Sequence, residues 1–237
     1  MDWTYIVLVL PAVIFSLWAS ASVNSTFKKY ATQRPLCGMT GAEAARRVLD
    51  ANGLQHIRIE QIPGELTDHY DPSANVIRLS ESVYGNASTA AIGVAAHEAG
   101  HAIQHAVGYA PIRIRTAIVP VTNIGSKLSM PLILIGLILA AATESAETSH
   151  FGFMLAVAGV ICFSLCVVFQ LVTLPTEFNA SNRALAAISN CGLLNQEELA
   201  GSRKVLRAAA MTYVAALAVS IMQLLRLIII VGGRRRD

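Results

Sequence analysis

Four long apolar runs divide the chain and give the first prediction of its architecture. They cover residues 3–23, 123–142, 151–174 and 208–231. Each run is close to the roughly 20 residues that a helix needs to cross the hydrocarbon core of a bilayer. Charged residues inside the runs are few, and Arg226 stands near the end of the fourth, where its side chain can reach the interface. The pattern predicts four transmembrane helices.

The second and third runs are joined by a short acidic segment, 143–150, that contains Glu144 and Glu147 but no lysine or arginine. We expect these two runs to form a membrane hairpin, so the segments before and after it share one face of the membrane. The first run has no basic residues before it and is expected to remain as an anchor rather than to be a cleaved signal.

Between the first and second runs the sequence is polar and rich in turns. Thr40 and Glu43 have the spacing of a capping box, which predicts a helix over 44–52. Alternating apolar and polar positions predict strands over 56–61, 66–70 and 75–80. An alanine-rich stretch predicts a helix that begins near Asn86 or Ser88 and continues to Val107.

The predicted fold class is therefore a mostly α membrane protein with four transmembrane helices and a small α+β domain. The predicted segments are an anchor over 1–24, the α+β domain over 25–112, membrane helices over 113–142, 151–174 and 208–232, an acidic loop over 143–150, a helical segment over 175–207 and a basic tail over 233–237.

Composition supports this division. The chain has 237 residues, of which 54% are hydrophobic and 14% charged, whereas a soluble domain carries about 25% charged residues. This deficit argues against a disordered protein, a nucleic-acid-binding protein or an ordinary cytosolic protein. The four cysteines show no metal or redox spacing and are interpreted as small packing residues.

The alanine-rich helix contains His97-Glu98-Ala99-Gly100-His101. Histidines at positions i and i+4 lie on one helical face, so both imidazoles can reach one Zn²⁺. Glu98 lies next to the first histidine and is placed to accept a proton from a water molecule. This is the HExxH pattern of zinc metallopeptidases.

A catalytic zinc site needs a third protein ligand. His105 lies one further turn along the same straight helix, too far to complete the site. Glu177 follows the third apolar run, in the expected first turn of a new helix, and shares the membrane face of the two histidines. Glu197 and Glu198 share that face but are typical of solvated helix positions.

These motifs resemble the YugP-type neutral zinc metallopeptidases of bacterial membranes. The resemblance rests on 97–104, on Glu177-Phe178-Asn179-Ala180-Ser181, and on the segment from Asp68 to Ser80, and it covers nearly the whole chain. More distantly, the chain is similar to the HtpX heat-shock membrane proteases and the CAAX prenyl endopeptidases.

The resemblance implies a zincin-like (gluzincin) catalytic domain over 25–112 with the HExxH helix, and one catalytic Zn²⁺. It implies His97, His101 and Glu177 as zinc ligands and Glu98 as the base. Ser181 stands where the distant relatives have an aspartate that orients a zinc-bound histidine. Residues expected to fill that role are Ser181, Asn179, Asn182 and His105.

The expected reaction is hydrolysis of peptide bonds by zinc-activated water. The transition state needs a further hydrogen-bond donor, and Arg183, His69 and Tyr70 are the candidates by proximity to the motifs. The strand over 75–80 is a candidate edge to which an extended peptide could add.

Two other functions are alternatives to a membrane zinc metalloendopeptidase. A site-2-type intramembrane metalloprotease would place HExxH within the bilayer, but the sequence has no aspartate-containing ligand segment after a later run. A non-enzymatic zinc-binding adaptor or transporter would carry metal-binding residues within the spans, and the spans contain neither histidine nor acid. We expect a membrane-associated or misfolded protein as substrate, the lipid bilayer as a partner, and no nucleic acid.

Lysines and arginines flank the apolar runs on the histidine side, whereas the hairpin loop has none. This asymmetry predicts a multi-pass protein of the bacterial cell (inner) membrane with its active site facing the cytoplasm. The basic residues Arg234, Arg235 and Arg236 disagree, because four spans place them on the opposite side.

Overall fold

The computed structural model describes residues 3–142 and 145–233. Part of the predicted acidic loop, including Glu144, and the arginines at 234–236 lie outside the described residues. The described chain is mainly helical and contains one three-stranded sheet. Its helices are α1 (Leu10–Ala31, preceded by a π-helical turn at Tyr5–Val9), α2 (Gly41–Ala51), α3 (Glu81–Tyr84), α4 (Thr89–Ala106), α5 (Ala110–Ala141), α6 (Ala146–Asn190) and α7 (Gln196–Gly233).

Four of these helices are long and apolar enough to cross a membrane. They are α1 with the turn before it, α5, α6 and α7. The structure divides into two compact units. Among the described residues, one unit contains 3–17, 114–142, 145–174 and 213–233, and the other contains 18–113 and 175–212.

In the first unit, α5 and α6 are packed closely through glycine. A Cβ atom added at Gly136 would lie 2.5 Å from the carbonyl oxygen of Gly152 and 2.5 Å from the amide nitrogen of Ala156. Only small residues allow two helix backbones to approach to this distance, as is common between membrane helices. The predicted hairpin is therefore present as a tight helix pair. α6 begins at Ala146, within the segment predicted as a loop.

In the second unit, the sheet lies beside α4. Its strands are β1 (Arg58–Ile62), β2 (His69–Asp71) and β3 (Val76–Ser80), in the order β1-β3-β2. β3 pairs in parallel with β1 and antiparallel with β2. The expectation that this third strand is a free edge is wrong, because both of its sides are paired. The outer edges belong to β1 and β2.

Local sequence signals set the helix ends in this unit. Thr40 and Glu43 form the predicted capping box at the start of α2. The side chain of Ser88 accepts a hydrogen bond from the amide of Ala91 and caps α4. A cap of this type satisfies amide groups that have no partner within the helix.

The central element of the second unit is α4. Most of its residues are buried, and they share an apolar core with α2, β3 and the ends of α6 and α7. Small residues let these elements approach. A Cβ atom at Gly93 would lie 3.1 Å from the Cβ of Ser202 in α7, and the Ser202 hydroxyl donates a 2.6 Å hydrogen bond to the Thr89 carbonyl.

One predicted helix start is wrong. α6 is continuous from Ala146 to Asn190 and passes through Pro175, so Glu177 lies inside a long helix rather than in a first turn. A helix dipole at an N-terminus therefore does not explain this glutamate. The predicted helical segment over 175–207 consists of the end of α6, a turn and the start of α7.

Candidate metal centre

The structure brings three predicted residues together in the second unit. His97 and His101 lie one turn apart on α4, and Glu177 reaches them from α6. Their ligand atoms all lie within 4.8 Å of one another. We call these three residues the His–His–Glu cluster. They come from positions up to 80 residues apart in the chain.

The geometry within the cluster is compact. Oε2 of Glu177 lies 3.2 Å from Nε2 of His97 and 3.5 Å from Nε2 of His101. The two imidazole rings have centroids 4.7 Å apart and stand nearly perpendicular, at 87°. Glu177 is only 2% exposed. A carboxylate buried to this extent requires cationic or hydrogen-bonding partners, and the two imidazoles supply them.

Gly100 permits this approach of α4 and α6. A Cβ atom at this position would lie 2.6 Å from the carbonyl oxygen of Ala180, which belongs to the helix backbone. Ala180 lies between Glu177 and Ser181, the two residues of α6 that contact His97. The glycine within the motif therefore sets the distance between the helix of the histidines and the helix of the glutamate.

Each histidine is held at its second ring nitrogen. Nδ1 of His97 lies 3.1 Å from the hydroxyl oxygen of Ser181, and Nδ1 of His101 lies 3.0 Å from Oε1 of Gln104. The amide nitrogen of Gln104 donates to the Thr176 carbonyl at 2.8 Å and to Oδ1 of Asn179 at 3.0 Å. These two donations fix the amide so that its oxygen faces His101.

In a metal-bound state this arrangement would favour one tautomer of each ring. An imidazole that carries its proton on Nδ1 donates to Ser181 or Gln104 and presents an unprotonated Nε2 to the centre of the cluster. Gln104 is completely buried and was not among the residues predicted from sequence. Its position three residues after His101 indicates a shared helix face, but its partners on α6 cannot be read from the sequence.

The electrostatics of the cluster favour positive charge. Burial disfavours the protonated form of His101, but the hydrogen bond to Glu177 and the charges of Glu98 and Glu177 outweigh it. The pKa of His101 is consequently raised above its ordinary value of 6.5. One carboxylate and two imidazoles that converge within 4.8 Å form a donor set that fits a divalent metal ion such as zinc.

The other site residues predicted from the sequence are not members of the His–His–Glu cluster. Glu98 follows His97 directly on α4 and is 8% exposed. Nε of Arg183 donates to Oδ1 of Asn179 at 2.7 Å, so Arg183 is linked through Asn179 to Gln104. Its guanidinium also lies over the Tyr109 ring, with the carbon 5.9 Å from the ring centroid.

His69 and Tyr70 lie on β2 and are not members of the cluster. The ring of Tyr70 packs edge-on against His105 with centroids 5.5 Å apart, and Nδ1 of His69 lies 2.9 Å from the Thr67 carbonyl. Asn182 lines, with Ser181, a cavity of about 600 Å³ between the end of α6 and the start of α7.

Glu198 is not the solvated residue that the sequence predicts. It is buried, and its carboxylate accepts hydrogen bonds from the amides of Leu36 at 2.8 Å and Asn195 at 2.9 Å. It therefore joins the start of α7 to the chain after α1. No local pattern indicates this role, because the bond to Leu36 links residues 162 positions apart.

Comparisons with known proteins identify the family of this chain. A family model described as "Putative neutral zinc metallopeptidase" matches residues 5–232. A protein of Bacillus subtilis (strain 168) called "Putative membrane protease YugP" is 46% identical over 231 residues, which cover 97% of this chain and 98% of that protein. No solved structure matches the chain. The resemblance seen in the motifs is confirmed, and the chain belongs to this family of neutral zinc metallopeptidases.

Proposed function

We propose that this protein is an integral membrane metalloendopeptidase that holds one Zn²⁺ on His97, His101 and Glu177. The observation that carries the proposal is the convergence of these three side chains within 4.8 Å. Two imidazole nitrogens and a carboxylate are the ligand set of many catalytic zinc sites, which keep a further position open. A zinc ion bound there acts as a Lewis acid that lowers the pKa of water and polarises a carbonyl group.

Glu98 is the general base in this proposal. It adjoins a ligand histidine, is largely buried, and is not needed as a ligand because Glu177 completes the set. A carboxylate in this position accepts a proton from the attacking water and returns one to the leaving amine. General acid–base catalysis of this kind contributes about 10²–10⁴-fold to a rate.

Ser181 and Gln104 position the ligands. Because each accepts a hydrogen bond from one histidine Nδ1, each ring keeps its Nε2 directed at the cluster. Ser181 takes the role that an aspartate has in the distant relatives. Asn179 acts one step further away, since it accepts from both Gln104 and Arg183. Asn182 and His105 remain candidates for outer positions.

A donor to the developing oxyanion is still required. Arg183, His69 and Tyr70 are the proposed candidates for this role or for substrate contact. Tyr70 and His69 lie on β2, whose outer edge is free in the sheet order, so an extended peptide that adds to this edge would pass these side chains.

The proposed catalytic domain is zincin-like, of the gluzincin type, and combines residues 25–112 with the segment 175–207. The proposed location is the bacterial inner membrane, with the active site towards the cytoplasm, on the strength of the lysines and arginines that flank the spans. Membrane-associated or misfolded proteins are the proposed substrates.

The test uses the purified full-length protein in detergent and fluorescently labelled casein as an unfolded substrate. Glu98→Gln is expected to keep the zinc content of the wild type and to lose cleavage by about 10²-fold or more. The matched control is Glu197→Gln, the same change at an exposed glutamate of α7, which is expected to cleave as the wild type does.

Two outcomes would contradict the proposal. Cleavage by Glu98→Gln at the wild-type rate would remove Glu98 from the mechanism. A wild-type protein that binds zinc stoichiometrically but cleaves neither casein nor membrane proteins would favour the zinc-binding adaptor.

A further inference from the structure

A cavity lies between α1 and α7 in the second unit, and its lining includes no residue of the His–His–Glu cluster. Its volume is about 360 Å³. We call it the basic pocket. Its lining residues are Ser22, Thr26, Lys29, Tyr30, Lys204, Arg207, Ala208 and Met211. The lining contains three cationic side chains and no carboxylate.

The cations of the basic pocket have no acidic partner in the part of the chain that the structure describes. Ion pairs there involve other residues, such as Arg46 with Asp50 and Arg78 with Asp71. Three like charges around one cavity repel one another when no counter-charge is present, although water screens these exposed side chains. An anion in the pocket would remove this repulsion.

The walls of the pocket are fixed by close packing of α1 against α7. A Cβ atom at Gly201 would lie 2.8 Å from Cδ1 of the Tyr30 ring, so glycine lets the ring lie directly on α7. Nζ of Lys29 lies 5.6 Å from the centroid of the same ring. The ring thus supports Lys29 beside the pocket, and the hydroxyl groups of Ser22 and Thr26 offer further hydrogen-bond donors.

These donors match the chemistry of a phosphate group. Lysine binds phosphate as a point charge, and arginine can donate two parallel hydrogen bonds to its oxygens. Lipid headgroups and free phosphate both present this chemistry. The position of the cations along the chain favours a lipid, because each cation lies close to a long apolar run.

Each cation adjoins an apolar run that is long enough to cross a membrane. Lys29 follows the run 3–23, and Lys204 and Arg207 precede the run 208–231. Basic residues that flank such runs lie at the depth of the headgroups, and basic pockets between membrane helices bind anionic headgroups. We propose that the basic pocket binds the phosphate of an anionic phospholipid.

The experiment measures lipid binding to the full-length protein in detergent by native mass spectrometry. The probes are phosphatidylglycerol and phosphatidylcholine with the same acyl chains. Phosphatidylglycerol is expected to remain bound at concentrations where phosphatidylcholine does not. The triple variant Lys29→Gln, Lys204→Gln, Arg207→Gln is expected to lower this affinity by about tenfold or more, since each basic residue contributes a severalfold factor.

The matched control is a second triple variant, Lys28→Gln, Arg34→Gln, Arg203→Gln. It removes the same charge from exposed positions of the same region that do not line the basic pocket. It is expected to keep most of the affinity for phosphatidylglycerol. Unchanged gel-filtration and thermal unfolding of both variants show that they are folded.

Three results would overturn the proposal. If the two triple variants lost the same amount of affinity for phosphatidylglycerol, binding would depend on the overall charge of this region rather than on the basic pocket. Equal binding of the two lipids would mean that the pocket does not select an anion. Displacement of phosphatidylglycerol by inorganic phosphate that itself binds the delipidated protein would assign the pocket to a free anion.

Discussion

The replacement of Gly100 by alanine is expected to weaken metal binding without unfolding the protein. The added Cβ would lie 2.6 Å from the Ala180 carbonyl oxygen, whereas ordinary contact begins at 3.4 Å. Because the neighbour is backbone rather than a flexible side chain, α4 and α6 must separate by about 0.8 Å, the difference between these distances. Glu177 and Ser181 lie on either side of Ala180 and move with it.

The size of the effect follows from two opposing contributions. Overpacking costs about 1–3 kcal/mol, and alanine is about 1 kcal/mol better than glycine within a helix. The net loss of stability is therefore expected to be about 2 kcal/mol at most. Zinc–ligand distances, in contrast, tolerate only about 0.2 Å, so zinc affinity is expected to fall by about tenfold or more.

The assay is competition for zinc between the purified protein and a chromophoric chelator, with thermal unfolding measured on the same sample. Gly93→Ala is the matched control, because its Cβ would meet the Ser202 side chain of α7 at 3.1 Å rather than the backbone of α6. If Gly100→Ala bound zinc with the affinity of the wild type, whatever its thermal stability, the argument that Gly100 sets the position of Glu177 would be refuted.

Three further outcomes are expected. Glu177→Ala should lose stoichiometric zinc by elemental analysis, whereas Glu197→Ala, which changes an exposed residue, should retain it. Gln104→Leu should lower zinc affinity about 10–100-fold in chelator competition, because nothing then accepts the Nδ1 hydrogen of His101; unchanged affinity would contradict this. Burial raises the pKa of Asp68 above 3.8, despite the hydrogen bonds from Ser80. The folded state therefore binds the proton more tightly than the unfolded state, and stability should fall as pH rises from 3.8 through the folded pKa. In Asp68→Asn, thermal unfolding should no longer show this loss of stability across that pH range. A pH profile of stability identical to that of the wild type would contradict the prediction.

Much of the candidate site was predictable because it depends on local pattern. His97 and His101 share a face because of the period of the helix. Ser88 caps the N-terminus of that helix through its side chain. Glu177 was found by a less local argument, that a hairpin returns the chain to the same membrane face. The structure brings Glu177 to the two histidines, but in a different local setting from the predicted one, since α6 does not restart after Pro175.

The errors share one physical origin. Strand order, the burial of Glu198 and the partners of Gln104 all depend on contacts between residues far apart in the chain. A periodic pattern reports which face of an element is apolar, but it does not report which other element covers that face. The strand over Val76–Ser80 was therefore predictable as a strand, but the sequence left open whether it lies at an edge or inside the sheet.

The sequence by itself determined the membrane-spanning helices, the cap that begins α2, and the shared helix face of His97 and His101, because hydrophobic length, capping and helical period are local properties. Tertiary structure decided the separation of α4 and α6 through Gly100, and it decided which atoms hold each imidazole. Those features depend on distances of a few tenths of an ångström between backbones, and such distances result from the packing of whole helices.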